Sequence, residues 1–250
     1  MKKVCLITGA ASGLGLALLE SLARTALLPS SEFDLVVGVD RDYKTLALWT
    51  ADFCEADIST KDGWDTLCID LSRKGMEVSC LINCCGVNHI DYLENLCEDD
   101  FDRLMDVNAK AIYLGSKMFQ SDLAKHKGTI LNITSNASHI PMTASLAYNA
   151  SKAAAHIMTQ QMARELTRRH GITVFGVAPN KLIGTGMSSY IEERVPELRG
   201  WTPAQAKAYQ EASLLAGETP PERVAELIAF LLSSKERHQH LTGCILPYGA

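Results

Sequence analysis

The chain has 250 residues, of which 47% are hydrophobic and 21% charged, with 17 glycines and 8 prolines. A chain of this length buries a full core without disulfides or structural metal, and the composition excludes a disordered, collagenous or mini-protein scaffold. The formal charge is −5, from 24 basic and 29 acidic residues. No basic run exceeds two residues, which argues against nucleic acid as a partner.

In chain order, β-rich runs are predicted at Lys3–Thr8, Phe33–Val39, Ala51–Glu55, Val78–Asn83, Gly128–Thr134, Ile172–Ala178 and near Cys244–Leu246. Helical spacing is predicted between them at Gly13–Thr25, Ser59–Lys74, Asp99–His126, Ser145–His170 and Pro221–Ser234. Most strands read as continuous apolar runs, which suits parallel strands covered on both faces. The alternation therefore predicts an α/β, Rossmann-like, doubly wound parallel sheet of about seven strands with helices on both faces, all within a single domain spanning 1–250. The stretch 180–217, broken by Gly184, Gly186, Pro196, Gly200 and Pro203, is expected to be a substrate lid within that domain.

Met1-Lys2-Lys3 and the apolar run behind it imitate a secretory leader, but Gly9, Ser12, Gly13, Gly15 and then Glu20 interrupt the pattern. No stretch of about 18 apolar residues occurs, so no membrane span is expected. The eight cysteines, at 5, 54, 68, 80, 84, 85, 97 and 244, contain no C-x-x-C pair and read as reduced thiols of a cytoplasmic protein. Cys80 and Cys84, four apart on a strand, would lie roughly 13 Å apart. That is too far for one tetrahedral zinc, and no metal is expected.

The first strand runs into Thr8-Gly9-Ala10-Ala11-Ser12-Gly13-Leu14-Gly15. Glycines there permit a tight turn, and the helix behind it offers unpaired N–H groups to a pyrophosphate; a plain tight turn would read the same way. Asp40, at the end of the second strand, suits the adenosine ribose hydroxyls and repels a 2′-phosphate, which favours NAD; Arg41 works the other way and keeps NADP possible. A turn or cap role for Asp40 is compatible with the same placement.

Tyr148 and Lys152 lie four apart, on one helix face and one turn from each other. An ammonium that close would favour phenolate, and a phenol pKa lowered by about two to three units would make Tyr148 a working general acid/base. A solvated helix face would carry the same pair. Ser135 sits at the carboxyl end of the fifth strand, outside any G-x-S-x-G elbow, and suits a hydrogen-bond donor to a substrate oxygen.

These motifs taken together resemble the short-chain dehydrogenase/reductase family over nearly the whole chain. The glycine spacing, Asp57 after the third strand, Asn83-Cys84-Cys85-Gly86 where the family has N-N-A-G, Asn108, Ser135, Tyr148, Lys152, Pro179 and Thr242-Gly243 all fall in register. The resemblance implies NAD(H)-dependent interconversion of a secondary alcohol and a ketone, with an NADP(H)-linked ketone reductase or a non-catalytic NAD-binding sensor as alternatives. It implies a tetrad in which Tyr148 exchanges the proton, Ser135 holds the same oxygen, Lys152 binds the nicotinamide ribose, and Asn108, at a helix distortion, holds a water linking Lys152 to solvent. The cofactor contacts it implies are Thr8, Gly9, Ser12, Gly13, Leu14, Gly15, Asp40, Arg41, Asp57, Ile58, Asn83, Cys84, Cys85, Gly86, Tyr148, Lys152, Pro179, Asn180, Leu182 and Thr185. Cys84, Cys85 and Asn180 depart from the family pattern, and Thr185 comes one residue late. Substrate contacts are expected at Ser135, Asn136, His139 and Tyr148, with Ser138, Asn88, His89, Tyr190 and Trp201 as further candidates; surface or packing roles would suit His139, Tyr190 and Trp201 equally. The alanine-rich helix that carries Tyr148 allows close approach to a neighbour, and the resemblance implies a homodimer or homotetramer.

Overall fold

The computed structural model describes residues 1–41, 52–215 and 218–249. Its sheet comprises β1 (Lys2–Thr8), β2 (Leu35–Asp40), β3 (Asp52–Glu55), β4 (Met76–Asn83), β5 (Thr129–Ile133), β6 (Thr173–Pro179) and β7 (Ile245–Tyr248), in the order β3-β2-β1-β4-β5-β6-β7. Every pairing is parallel. The predicted strand start at Ala51 and the end of the expected lid at 216–217 lie outside the described residues.

All eight residues of β4 are buried, the polar Glu77, Ser79 and Asn83 included, as befits a central strand covered on both faces. On one face, α1 (Gly13–Thr25) turns Leu14, Leu18 and Leu22 into a cluster with Val224, Ile228 and Leu232 of a later helix, Pro221–Leu232. The opposite face is covered by α2 (Lys61–Arg73), whose Trp64 and Leu67 pack with Ala111, Phe119 and Leu123.

Two long predicted helices are interrupted. The segment predicted over Asp99–His126 divides into α3 (Glu98–Met105), a π-helical turn (Asp106–Lys110), α4 (Ala111–Met118) and α5 (Gln120–His126). The one predicted over Ser145–His170 divides into α6 (Leu146–Met162), a second π turn (Ala163–Thr167) and the short α7 (Arg168–His170). Apolar periodicity does not distinguish i→i+5 from i→i+4 bonding over a single turn, so these breaks leave no trace in the pattern. After β6 come α8 (Gly186–Arg199) and α9 (Pro203–Leu215), then α10 (Pro221–Leu232) and α11 (Lys235–His238). The strand order reverses between β1 and β4, and the carboxyl ends of those strands open the crevice where such sheets place ligands.

Candidate active site

A cleft of about 1270 Å³ runs along the carboxyl edge of the sheet, from the turn after β1 to the helices after β6. Gly9, Ser12, Gly13, Leu14 and Gly15 line its floor. Gly9 adopts φ +71°, a backbone that L side chains rarely take, and a Cβ at Gly15 would lie 2.0 Å from the Gly9 carbonyl oxygen. The turn thus folds directly onto the start of α1. Ser12, its N-cap, makes no side-chain cap bond, and the first turn carries no acidic residue. This donor set fits a phosphate: N–H groups that the helix cannot satisfy itself, at its positive end.

The Asp40 carboxylate is held at the cleft by N–H groups from Ala11 (3.0 Å to Oδ2) and Arg41 (2.8 Å to Oδ1). Asp57 accepts from the Ser59 hydroxyl at 2.7 Å and from its N–H at 3.0 Å. Those bonds, aided by the nearby Arg41 charge, hold its carboxyl below the usual range. Ile58 lines the wall between them, and its carbonyl receives the Trp64 indole N–H at 2.8 Å.

Cys84, Cys85 and Gly86 line the cleft beyond β4. Burial pushes the Cys84 thiol up to about 12 and the Cys85 thiol up to about 11. Both are neutral at physiological pH. Two neighbouring expectations change here. Asn83 and Thr8 do not reach the cleft lining. Asn83 donates to Asn132 Oδ1 at 2.8 Å, and Asn132 to Thr159 Oγ1 at 2.8 Å, a buried amide chain that braces β4 and β5 against α6. The buried Thr8 hydroxyl accepts the N–H groups of Cys84 and Cys85 at 3.1 and 3.2 Å, fixing the loop rather than facing a ligand.

Asn108 lies in the first π turn, as its expected helix distortion required. Its Oδ1 accepts the Val87 N–H at 2.9 Å, while its Nδ2 donates to the Val87 carbonyl and the Ser151 hydroxyl, each at 2.9 Å. Both ends of the amide are committed to the loop and α6, so Asn108 makes no direct bond to Lys152. A Cβ at Gly86 would make ordinary van der Waals contact, 3.5 Å from Asn108 Oδ1 and 3.5 Å from Lys152 Nζ, so Gly86 lies directly against both side chains.

Ser135 caps the short 3₁₀ turn Asn136–Ser138, accepting the Ala137 N–H at 3.1 Å, and its side chain favours ionisation of the neighbouring Tyr148 phenol. Tyr148 and Lys152 project from the first turns of α6 and are only 8% and 4% exposed, so this is not a solvated face. Lys152 Nζ donates to the Ile133 carbonyl at 3.1 Å, and burial holds its pKa below the usual lysine value. The expected depression of the phenol by Lys152 does not occur. Burial lifts Tyr148 above the ordinary phenol range, and the Ser135 side chain works against that lift. Desolvating a whole ring disfavours phenolate more than one neutral hydroxyl favours it.

Asn88, Asn136 and His139 line the same cleft, with Pro179, Asn180, Leu182 and Thr185. His139 is exposed and stacks edge-on against His156 at 6.3 Å, with Ser138 bonding both rings. The Oδ1 atoms of Asn88 and Asn136 are shut from solvent without a hydrogen-bond partner. Four other candidates lie outside the lining. His89 faces Asp100 at 3.5 Å, Ser138 holds the histidines, Tyr190 accepts the Ile90 N–H at 3.0 Å, and Trp201 packs on Tyr209 at 5.1 Å. Thr185 caps α8 in a reciprocal pair with Ser188, its hydroxyl accepting the Ser188 N–H at 3.0 Å. Sequence reasoning missed Met187, Ile191 and Val195 of α8 and Tyr209 of α9, which also line the cleft; the helical spacing of 187, 191 and 195 was the available signal.

Comparison with known proteins agrees with this geometry. The family model described as short chain dehydrogenase matches residues 3–196. The chain is 29% identical to L-2,3-butanediol dehydrogenase of Corynebacterium glutamicum, over 98% of this chain and 96% of that one. It is also 29% identical to NAD-dependent glycerol dehydrogenase of Listeria innocua, over 92% and 87%. The solved actinorhodin polyketide ketoreductase with NADPH superposes with a TM-score of 0.86, at 22% identity over 99% of this chain and 96% of that one. With the matched span running from β1 into α8, the chain belongs to the short-chain dehydrogenase family of oxidoreductases.

Proposed function

We propose that the protein interconverts a secondary alcohol and a ketone with NAD(H), Tyr148 exchanging the proton. The observation that carries this reading is one cleft lined both by a phosphate-fitting helix terminus and by Ser135, Tyr148 and Lys152. A nicotinamide bound there supplies or accepts the hydride. The chain's own residues do the rest. Gly9, Ser12, Gly13, Leu14 and Gly15 seat the pyrophosphate; Asp40, Asp57 and Ile58 form the adenosine end; Cys84, Cys85, Gly86, Pro179, Asn180, Leu182 and Thr185 enclose the nicotinamide half. Ser135 holds the substrate oxygen while the Tyr148 Oη proton passes to it in ketone reduction and returns in alcohol oxidation. Lys152, buried beneath Gly86, is assigned to the nicotinamide ribose, and Asn108 to bracing the loop above it. Asn136 and His139 are assigned to the remainder of the substrate.

Asp40 supports NAD over NADP, because a carboxylate held at the cleft by two N–H groups would repel a 2′-phosphate. Arg41 beside it is the observation that favours the second reading, an NADP(H)-linked ketone reductase. A cytoplasmic homodimer or homotetramer completes the reading. Fluorescence titration of NADH against NADPH decides the cofactor, and NADPH preference overturns the Asp40 argument. The catalytic assignment is tested by oxidation of secondary alcohols and vicinal diols with NAD: Tyr148→Phe is expected to retain NADH affinity and lose turnover by about 10²–10⁴-fold. Near-normal turnover in that variant would remove Tyr148 from proton transfer.

A further inference from the structure

The helix α8 is fastened to the cleft wall by the Lys181–Glu192 pair at 3.0 Å and, further along, through Tyr190 and Arg194. Tyr190 Oη accepts the Ile90 N–H at 3.0 Å. Arg194 Nε donates to the Ile90 carbonyl at 3.2 Å, Nη2 to Asp91 Oδ2 at 2.7 Å and Nη1 to Glu197 Oε2 at 2.7 Å. The other Asp91 oxygen accepts the Tyr92 N–H at 2.8 Å and the Asn95 amide at 3.0 Å. The Arg194 and Asp91 side chains are 27% and 12% exposed, so water screens this pair only in part.

From Asp91 the bonding continues to the helix that carries Tyr148. The Asp91 N–H donates to the Ala144 carbonyl at 2.9 Å, and Asp91 pairs with Ser145 in an isolated parallel bridge. Ala144 has φ +60°, a left-handed backbone that costs any residue with a Cβ and persists only where its surroundings enforce it. Buried Ser145 follows as the N-cap of α6, and Tyr148 stands in the first turn.

We infer that Arg194 is a positioning residue: by holding residues 90–91 it keeps the strained 144–145 link in place, and with it the direction in which α6 presents Tyr148 to Ser135. The planar guanidinium suits the task, since it serves a carbonyl, a carboxylate and Glu197 at once from a fixed fork, which an ammonium does not do. Docking of α8 and alignment of the proton donor are therefore one event. This rests on Tyr148 being the acid/base of the proposed reaction.

The test uses the full-length chain with Arg194→Met, Arg194→Lys and Arg194→Met combined with Ala144→Gly. NADH affinity, read by fluorescence titration, is expected to hold in all three, because none touches the glycine turn. Amide exchange at 144–148 is expected to quicken in Arg194→Met while that of α10 is unchanged. With the best substrate among 2,3-butanediol, glycerol and cyclopentanol, kcat is expected to fall about 10–100-fold, the scale of a small misplacement, with KM moving far less. Arg194→Lys recovers part of the loss, and Ala144→Gly, which removes the left-handed penalty, recovers more. A purely structural role would not give that rescue. Wild-type exchange at 144–148 together with undiminished kcat overturns the inference. Quickened exchange in an NADH-binding protein that oxidises none of the three alcohols would keep the link from Arg194 to 144–148, overturn its effect on catalysis and count against the proposed reaction.

Discussion

Tyr148 has its pKa raised by burial, with only the Ser135 hydroxyl pulling it back, so in the cofactor-free protein it is a proton donor by default. The difference absorbance between the wild type and Tyr148→Phe, followed at the phenolate band, is expected to show no ionisation below pH about 10, the ordinary phenol value. A difference signal developing near neutrality would mean that the protein alone already depresses the phenol. The spacing of Tyr148 and Lys152 was legible because a helix fixes which residues share a face. The direction of the pKa shift was not, because it depends on how much water the finished fold excludes from the ring. Asn83 was misread for a related reason. Its place at the end of a strand was clear, but that its amide would be claimed by Asn132 depends on the β4–β5 register, which places those two residues side by side.

Among the elements, α1 starts at Gly13 as predicted, since glycines and a Ser N-cap mark that boundary locally. The π turns escaped because nothing local marks them. A tie no motif announced holds the amino edge of the sheet. His238, fully buried on α11, shares its Nε2 with the Thr129 hydroxyl of β5 (2.9 Å) and the Glu32 carboxylate (3.4 Å), while its Nδ1 faces the Leu231 carbonyl at 2.9 Å. Burial pushes the Glu32 carboxyl up, but the His238 bond and charge, Lys235 and Thr129 together outweigh it and leave it below the usual value. A lowered folded-state pKa means stability fully present above the unfolded value of 4.5 and lost as pH falls through the folded one. Glu32→Gln is accordingly expected to lose about 3–5 kcal/mol at pH 7 and to be less acid-sensitive than the wild type, read as urea midpoints at pH 7 and pH 4. Equal losses at both pH values would show that charge plays no part in the tie.

At the scale of the whole molecule, the parallel sheet sorts chemistry from stability. Every strand delivers its following loop to the same edge, so residues as distant as Gly9, Asp40, Cys84, Tyr148 and Thr185 meet in one cleft, while the Glu32–His238 tie closes the other edge. The outer face of α6 serves neither. Leu146 and Ile157 are 46% and 61% exposed there, with exposed Ala150 between them, and Tyr113 on α4 is 47% exposed. Isolated exposed apolar residues are ordinary, but a stripe of them with small side chains between lets another helix approach closely. Under the proposed homo-oligomer this stripe is covered by a second copy, and sedimentation should return a multiple of 27.3 kDa. Ile157→Lys, which sets a charge in the stripe, is expected to shift the distribution toward the single chain while leaving NADH affinity unchanged, because Ile157 lies outside the cleft lining. A wild type that sediments as one chain at micromolar concentration would leave the stripe as bare surface and withdraw the homo-oligomer from the proposal.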